Sequence, residues 1–274
     1  MMNVFDFGKK KAAGEKITMI TCYDYTSARI VDKTGIDCLL VGDSLAMTMH
    51  GFESTLPATV DMMALATAAV ARGAKDKFIV ADLPFLSYRK SLSDNMDAAL
   101  KLMQAGAHAL KLEGAEGNTE FVRHLVDSGV PVMGHLGLTP QSVNVLGGYR
   151  VQGGTDAAAE RLMEDAKALQ DAGCFALVLE CVPADLAARI SQELTIATIG
   201  IGAGADTDGQ VLVFQDLLGL NLDFRPKFVK KFAEGAALFT DAIEQYNKDV
   251  KTGEFPHAEH SFGPRRVAKT ARRA

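Results

Sequence analysis

Apolar and polar positions along the chain fall into blocks of two lengths. Short runs of apolar and β-branched residues recur at ITMITCYDY (17–25), DCLLVGDS (37–44), KFIVADLPF (77–85), ALKLEG (109–114), VPVMGHLGL (130–138), ALVLECV (176–182) and ATIGIGAG (197–204). VLVFQDLLGL (211–220) is a weaker eighth. Their hydrophobicity is too continuous to leave one face wet, which is the pattern of parallel strands covered on both sides. Between them the period lengthens to that of a helix. SLSDNMDAALKLMQAG opens with Ser91 and Asp94 at capping-box spacing and stops at Gly106. TDAAAERLMEDAKALQDAG sets Leu162, Met163, Ala166 and Leu169 on one helical face and stops at Gly173. Residues 57–73, 118–128 and 183–194 also read as helices, with 226–250 as the last.

Strand and helix alternate about eight times, which requires a parallel sheet. In a chain of 274 residues that number of units favours a single-domain (β/α)8 TIM barrel over an open doubly wound sheet. AGAHALKLEG (105–114) echoes AGCFALVLEC (172–181), each with a helix-ending Gly followed by a buried strand and a Glu. No Pro-, Gly- or Ser-rich linker divides the chain, so the barrel is expected over residues 1–262. A basic, disordered tail is expected over 263–274, where GPRRVAKTARRA holds five cations and no acid.

Composition narrows the functional classes. The formal net charge of −5 argues against a nucleic-acid partner. The four cysteines, Cys22, Cys38, Cys174 and Cys181, form no CxxC pair and sit in or beside apolar runs. Buried free thiols in a reducing compartment account for them better than a zinc site. There is no run of about 18 apolar residues and no signal-peptide core, so no membrane partner and a cytoplasmic location are expected.

The strands end in a series of polar residues: Asp24, Asp43, Asp82, Glu113, His135 and Glu180. A parallel barrel gathers all strand C-termini on one face, where barrel enzymes place their chemistry. Asp24, within YDYTSAR, reads as a helix cap. The other carboxylates would repel one another in one cleft unless a cation sat among them, and an all-oxygen set points to Mg2+ or Mn2+. Lys111 and Glu113 are two apart on one strand and share a face. Glu113 would then stand near the metal, with Lys111 reaching an anionic substrate. Glu180 closes a run of Leu and Val, and needs either a partner or the raised pKa that suits a general base. GIGAGA (200–205) fits a loose dinucleotide fingerprint, but too little chain follows for a nucleotide unit. A glycine-lined mouth close to a ligand is expected there instead. GHLGLTPQSVNVLGGY (134–149) has no period and reads as a functional loop.

Together, VGDSLAMTMHG, STLPAT, ADLPF, KLEG, GHLGLTPQSVN, GGYRVQG, LECVP and IGIGAG resemble the ketopantoate hydroxymethyltransferase family, from about residue 17 to His260. The resemblance implies a barrel of the phosphoenolpyruvate mutase and isocitrate lyase type. It implies one Mg2+ per subunit held by Asp43, Asp82 and Glu113, and substrate contacts from Asp43, Ser44, Asp82 and Lys111. Glu180 is the implied proton acceptor, with His135 at an active-site position. The implied substrates are 3-methyl-2-oxobutanoate and the one-carbon donor 5,10-methylenetetrahydrofolate. The implied assembly is a homo-oligomer, a decamer. HGFESTLPAT and VNVLGG depart slightly from the family's runs and touch none of these positions. Two alternatives stay open: a lyase or mutase of the same superfamily acting on a 2-keto acid, and a non-catalytic metal-binding barrel.

Overall fold

The computed structural model describes residues 1–222 and 226–263. Residues 264–274 of the expected tail lie outside the described residues. Helix α1 (Val4–Ala13) precedes strand β1 (Ile17–Thr21), and α2 (Tyr25–Val31) follows it. The series continues with β2 (Cys38–Val41), α3 (Leu45–Thr48), α4 (Val60–Gly73), β3 (Phe78–Asp82), α5 (Leu92–Gln104), β4 (Ala109–Glu113), α6 (Thr119–Asp127) and β5 (Val132–Gly137). After β5 come a 3-10 turn (Pro140–Ser142), α7 (Val143–Leu146), α8 (Asp156–Asp171), β6 (Ala176–Glu180), α9 (Ala184–Glu193), β7 (Ala197–Ile201), β8 (Gly209–Leu212), α10 (Phe214–Leu217) and α11 (Gly235–Thr252). The eight strands pair in chain order, all parallel, and β8 returns to β1 to close the barrel.

Alternation along the strands sorts the apolar residues into two cores. Met19, Cys38, Leu40, Phe78, Val80, Ala109, Met133, Ala176, Val178, Ala197 and Ile199 fill the lumen. Their neighbours Leu39, Val41, Ile79, Ala81, Leu110, Leu112, Leu177 and Leu179 face the helices. On α8 the stripe is Leu162, Met163, Ala166 and Leu169, all buried, as the helical period requires. Ser91 caps α5 by accepting the Asp94 N–H, but the Asp94 carboxylate accepts the Ser91 hydroxyl at 2.7 Å.

Two expectations shift, and one stretch without an expectation gains a structure. The eighth strand begins at Gly209, two residues early, and the chain from Phe214 turns into α10. The last helix starts at Gly235 instead of residue 226, because the preceding residues form an irregular link against α10, with the Phe232 N–H donating to Leu217 O. The N-terminal stretch, read from sequence only for the signals it lacks, is a plug. Asn3 and Asp6 form a capping box on α1, and Phe7, wholly buried, meets Phe175 at 4.9 Å and Phe78 at 5.6 Å in edge contacts. Phe78 opens β3, so the plug seals the end of the barrel opposite the strand-end acids.

Candidate active site

Strand parity aims five of the charged side chains inward. Asp82 ends β3 in the series Phe78, Val80, Asp82, and Glu113 ends β4 in the series Ala109, Lys111, Glu113. His135 follows Met133 on β5, and Glu180 follows Val178 on β6. The register places Asp82 beside Lys111 and Glu113 beside His135. Asp43 arrives by another route. It has the outward parity of Leu39 and Val41, but β2 has ended and the turn at Gly42 brings it across. Its N–H donates to Asp82 Oδ2 at 3.0 Å.

Asp43, Asp82, Lys111, Glu113 and His135 are all nearly inaccessible. Lys111 Nζ lies 3.0 Å from Asp82 Oδ1 and 3.9 Å from Glu113 Oε1. His135 bridges two acids, with Nδ1 at 3.2 Å from Glu113 Oε1 and Nε2 at 3.2 Å from Glu180 Oε2. Lys111 Nζ also stands 3.2 Å from His135 Nδ1. Gln141, on the 3-10 turn after β5, donates from Nε2 to Asp43 Oδ2 at 2.8 Å and from its backbone N–H to Glu113 Oε2 at 3.0 Å. The Ser44 hydroxyl is 2.8 Å from the Tyr23 hydroxyl. Every site residue expected from sequence is therefore joined to this cluster or follows directly in chain from a member of it.

The electrostatics follow from burial. Desolvation raises the Asp43 carboxyl well above the usual range, and the charges of Asp82 and Glu113 add to it. Desolvation also raises Asp82, against the lowering pull of Lys111. For Glu113, burial is outweighed by the hydrogen bond and charge of His135, helped by Lys111, so its carboxyl is held below the usual value. For His135, burial and Lys111 push downward, but Glu113 and Glu180 win and lift the imidazole to about 9. Glu180 has found the partner it required, and keeps 18% of its side chain open.

The donor set can be tested against a divalent cation. Among the described residues no three His, Cys, Asp or Glu side chains are already spaced as a cage. The chemistry nevertheless fits: three buried carboxylates outnumber the ammonium between them, and Asp43 is pushed up by the charges of the other two. These are oxygen donors only, suited to Mg2+.

Asp24 does what the sequence predicts, whereas the GIGAGA glycines do not line a ligand site. Asp24 is the cap of α2, accepting the Ser27 N–H at 2.9 Å. The glycines of GIGAGA make room for the chain itself: a Cβ on Gly202 would stand 2.8 Å from Phe228, and one on Gly204 2.6 Å from Ala184. A cavity of about 550 Å³ between α5 and α6, lined by Arg89, Phe121 and His124, lies to one side and shares only Tyr88 with the cluster. Gln141 and Tyr88 escaped the sequence reading, because a loop without a period shows nothing of its hydrogen-bond partners.

A family model described as ketopantoate hydroxymethyltransferase matches residues 1–258. A 3-methyl-2-oxobutanoate hydroxymethyltransferase of Bdellovibrio bacteriovorus is 59% identical over 262 residues, covering 96% of this chain and all of its own. One from Francisella tularensis subsp. tularensis is 57% identical, covering 96% of this chain and 99% of its own. The solved structure of 2,3-dimethylmalate lyase, a PEP mutase/isocitrate lyase superfamily member, superposes with a TM-score of 0.60 at 14% identity, covering 96% of this chain and 93% of that one. At that identity the likeness speaks for the fold alone.

Proposed function

The chain belongs to the ketopantoate hydroxymethyltransferase family, and from that premise we propose how the acids at its barrel mouth carry the reaction. The activity is transfer of a hydroxymethyl group to 3-methyl-2-oxobutanoate, giving 2-dehydropantoate for pantothenate synthesis, and the family implies a folate co-substrate. We take the donor to be 5,10-methylenetetrahydrofolate.

Asp43, Asp82 and Glu113 would hold Mg2+, which when bound supplies Lewis-acid polarisation of the keto oxygen. Lys111 faces the negative charge of the keto acid, and Asp43, Ser44 and Asp82 fix its position. Glu180 accepts the proton from C3. It is the one acid of the cluster with part of its side chain open, so a carbon acid can reach it. His135, with its pKa lifted to about 9, remains a cation at neutral pH and holds Glu180 Oε2 from Nε2 at 3.2 Å, which orients the base. The carbanion carbon then bonds to the donor's methylene carbon, both bonds from that carbon to folate nitrogens break, and water supplies the hydroxyl, while its proton and the one taken from C3 go to those two nitrogens. General-base catalysis of this kind contributes about 10²–10⁴-fold.

The observation that carries the reading is the buried excess of acid around Lys111 and His135. Burying unpaired carboxylates is costly, and a site that binds a cation and an enolate explains why the fold keeps them. In the direct test, purified protein is mixed with 3-methyl-2-oxobutanoate, Mg2+ and 5,10-methylenetetrahydrofolate. 2-Dehydropantoate should appear, vanish with EDTA and return with added Mg2+. No product would sink the mechanism, whereas product indifferent to EDTA would remove only the metal.

A cytoplasmic setting belongs to the same proposal. Supporting it are three buried free thiols and a half-buried fourth, and the fact that no helix among the described residues is long and apolar enough to cross a membrane. So does assembly into a homo-oligomer, a decamer by resemblance. Helix α11 supports association by exposing Leu238, Phe239, Ile243, Tyr246 and Val250. Light scattering that returned a monomer mass would remove this part.

A further inference from the structure

Gln141 is 5% exposed and sits on the long loop between β5 and α8, outside every strand. A buried amide must place two donors and one acceptor. Here Nε2 donates to Asp43 Oδ2 at 2.8 Å and to Leu83 O at 3.0 Å. Oε1 accepts the Tyr88 hydroxyl at 2.7 Å. That hydroxyl has one proton, so its longer approach to Glu113 O, 3.4 Å, is secondary, and it in turn accepts the Glu113 N–H at 3.3 Å. The amide is thus oriented: flipping it would set an oxygen against the Asp43 carboxylate and a nitrogen against the Tyr88 donor. The backbone N–H of Gln141 completes the set on Glu113 Oε2 at 3.0 Å.

One consequence concerns all three acids. Asp43 is held by Oδ2, Glu113 by Oε2, and Asp82 by Oδ2 through the Asp43 N–H. The other oxygens of Asp82 and Glu113 face Lys111 Nζ at 3.0 Å and His135 Nδ1 at 3.2 Å. We propose that Gln141, oriented by Tyr88, is the positioning residue of the cation cradle, tying Asp43, just past β2, to Glu113 at the end of β4 so that the two carboxylates are held in place for one metal. The inference rests on the metal reading above. Gln141 places one side-chain donor and its main-chain donor on two proposed ligands. Partners that orient metal ligands in this way change metal affinity by about 10–100-fold when removed.

The test is calorimetric titration of Mn2+ into metal-free full-length protein, with thermal melts alongside. Gln141→Met keeps the bulk and loses the hydrogen bonds. It should weaken Mn2+ binding by about 10–100-fold, and activity should partly recover at saturating metal, a recovery that general structural damage would not give. Tyr88→Phe should shift affinity the same way by less, and the double variant should fall short of the product of the two, since both act through one amide. Wild-type affinity in a folded Gln141→Met overturns the inference and leaves the metal reading standing. If Gln141→Met does not fold, Tyr88→Phe decides in the same way. A wild-type protein that takes up no Mn2+ overturns both.

Discussion

Asp43 is the residue on which the site's electrostatics bear hardest. Burial, then Asp82, then Glu113 raise its carboxyl. A group whose folded pKa is raised contributes stability that is complete below its unfolded value, about 3.9, and is lost as pH rises through the folded value. A cation among the three acids removes that penalty, and protons compete with it at low pH. Mg2+ should therefore raise the melting temperature more at pH 8 than at pH 5, as read by thermal melts with and without the metal. An equal shift at both pH values would contradict this. The pairing of Lys111 with Glu113 was legible because alternate residues on a strand share a face. Asp43 was legible only as a strand-end acid, since its parity points outward until the turn at Gly42 redirects it. Gln141 was not legible at all: its importance lies in which atoms it meets, and no periodicity encodes that.

At the scale of elements, seven of the eight strands lie where the apolar runs place them, because burial on both faces leaves a continuous hydrophobic signature. β8 is weaker in sequence for a physical reason: it is only four residues long and Gln210 on it is exposed. The α1 plug went unread because Phe7 is buried while Phe5 on the same helix is exposed, which leaves almost no amphipathic pattern. Its contribution is nevertheless concentrated there. Phe7→Ala should cost about 3–5 kcal/mol in urea unfolding. Phe5→Ala, on the exposed side of the same helix, should cost little. Equal effects would mean that α1 does not seal the barrel through Phe7.

For the whole molecule, closure of the sheet is what turns a scattered sequence pattern into a site. Asp43, Asp82, Glu113, His135 and Glu180 lie far apart in sequence and meet only because eight parallel strands present their C-terminal ends on one rim. That topology followed from counting strand–helix units, and the convergence followed from the topology. Assembly beyond one chain was not readable from periodicity, since an exposed apolar face on α11 looks in sequence like any amphipathic helix.

The most direct measurement is exchange of the C3 proton of 3-methyl-2-oxobutanoate into deuterated water, followed by NMR with Mg2+ and without folate, so that only proton abstraction is observed. The wild-type protein should exchange it, and Glu180→Gln should lose about 10²–10⁴-fold in rate while still binding the keto acid. Near-normal exchange by a folded Glu180→Gln would contradict the account, because the base would then lie elsewhere than at the end of β6.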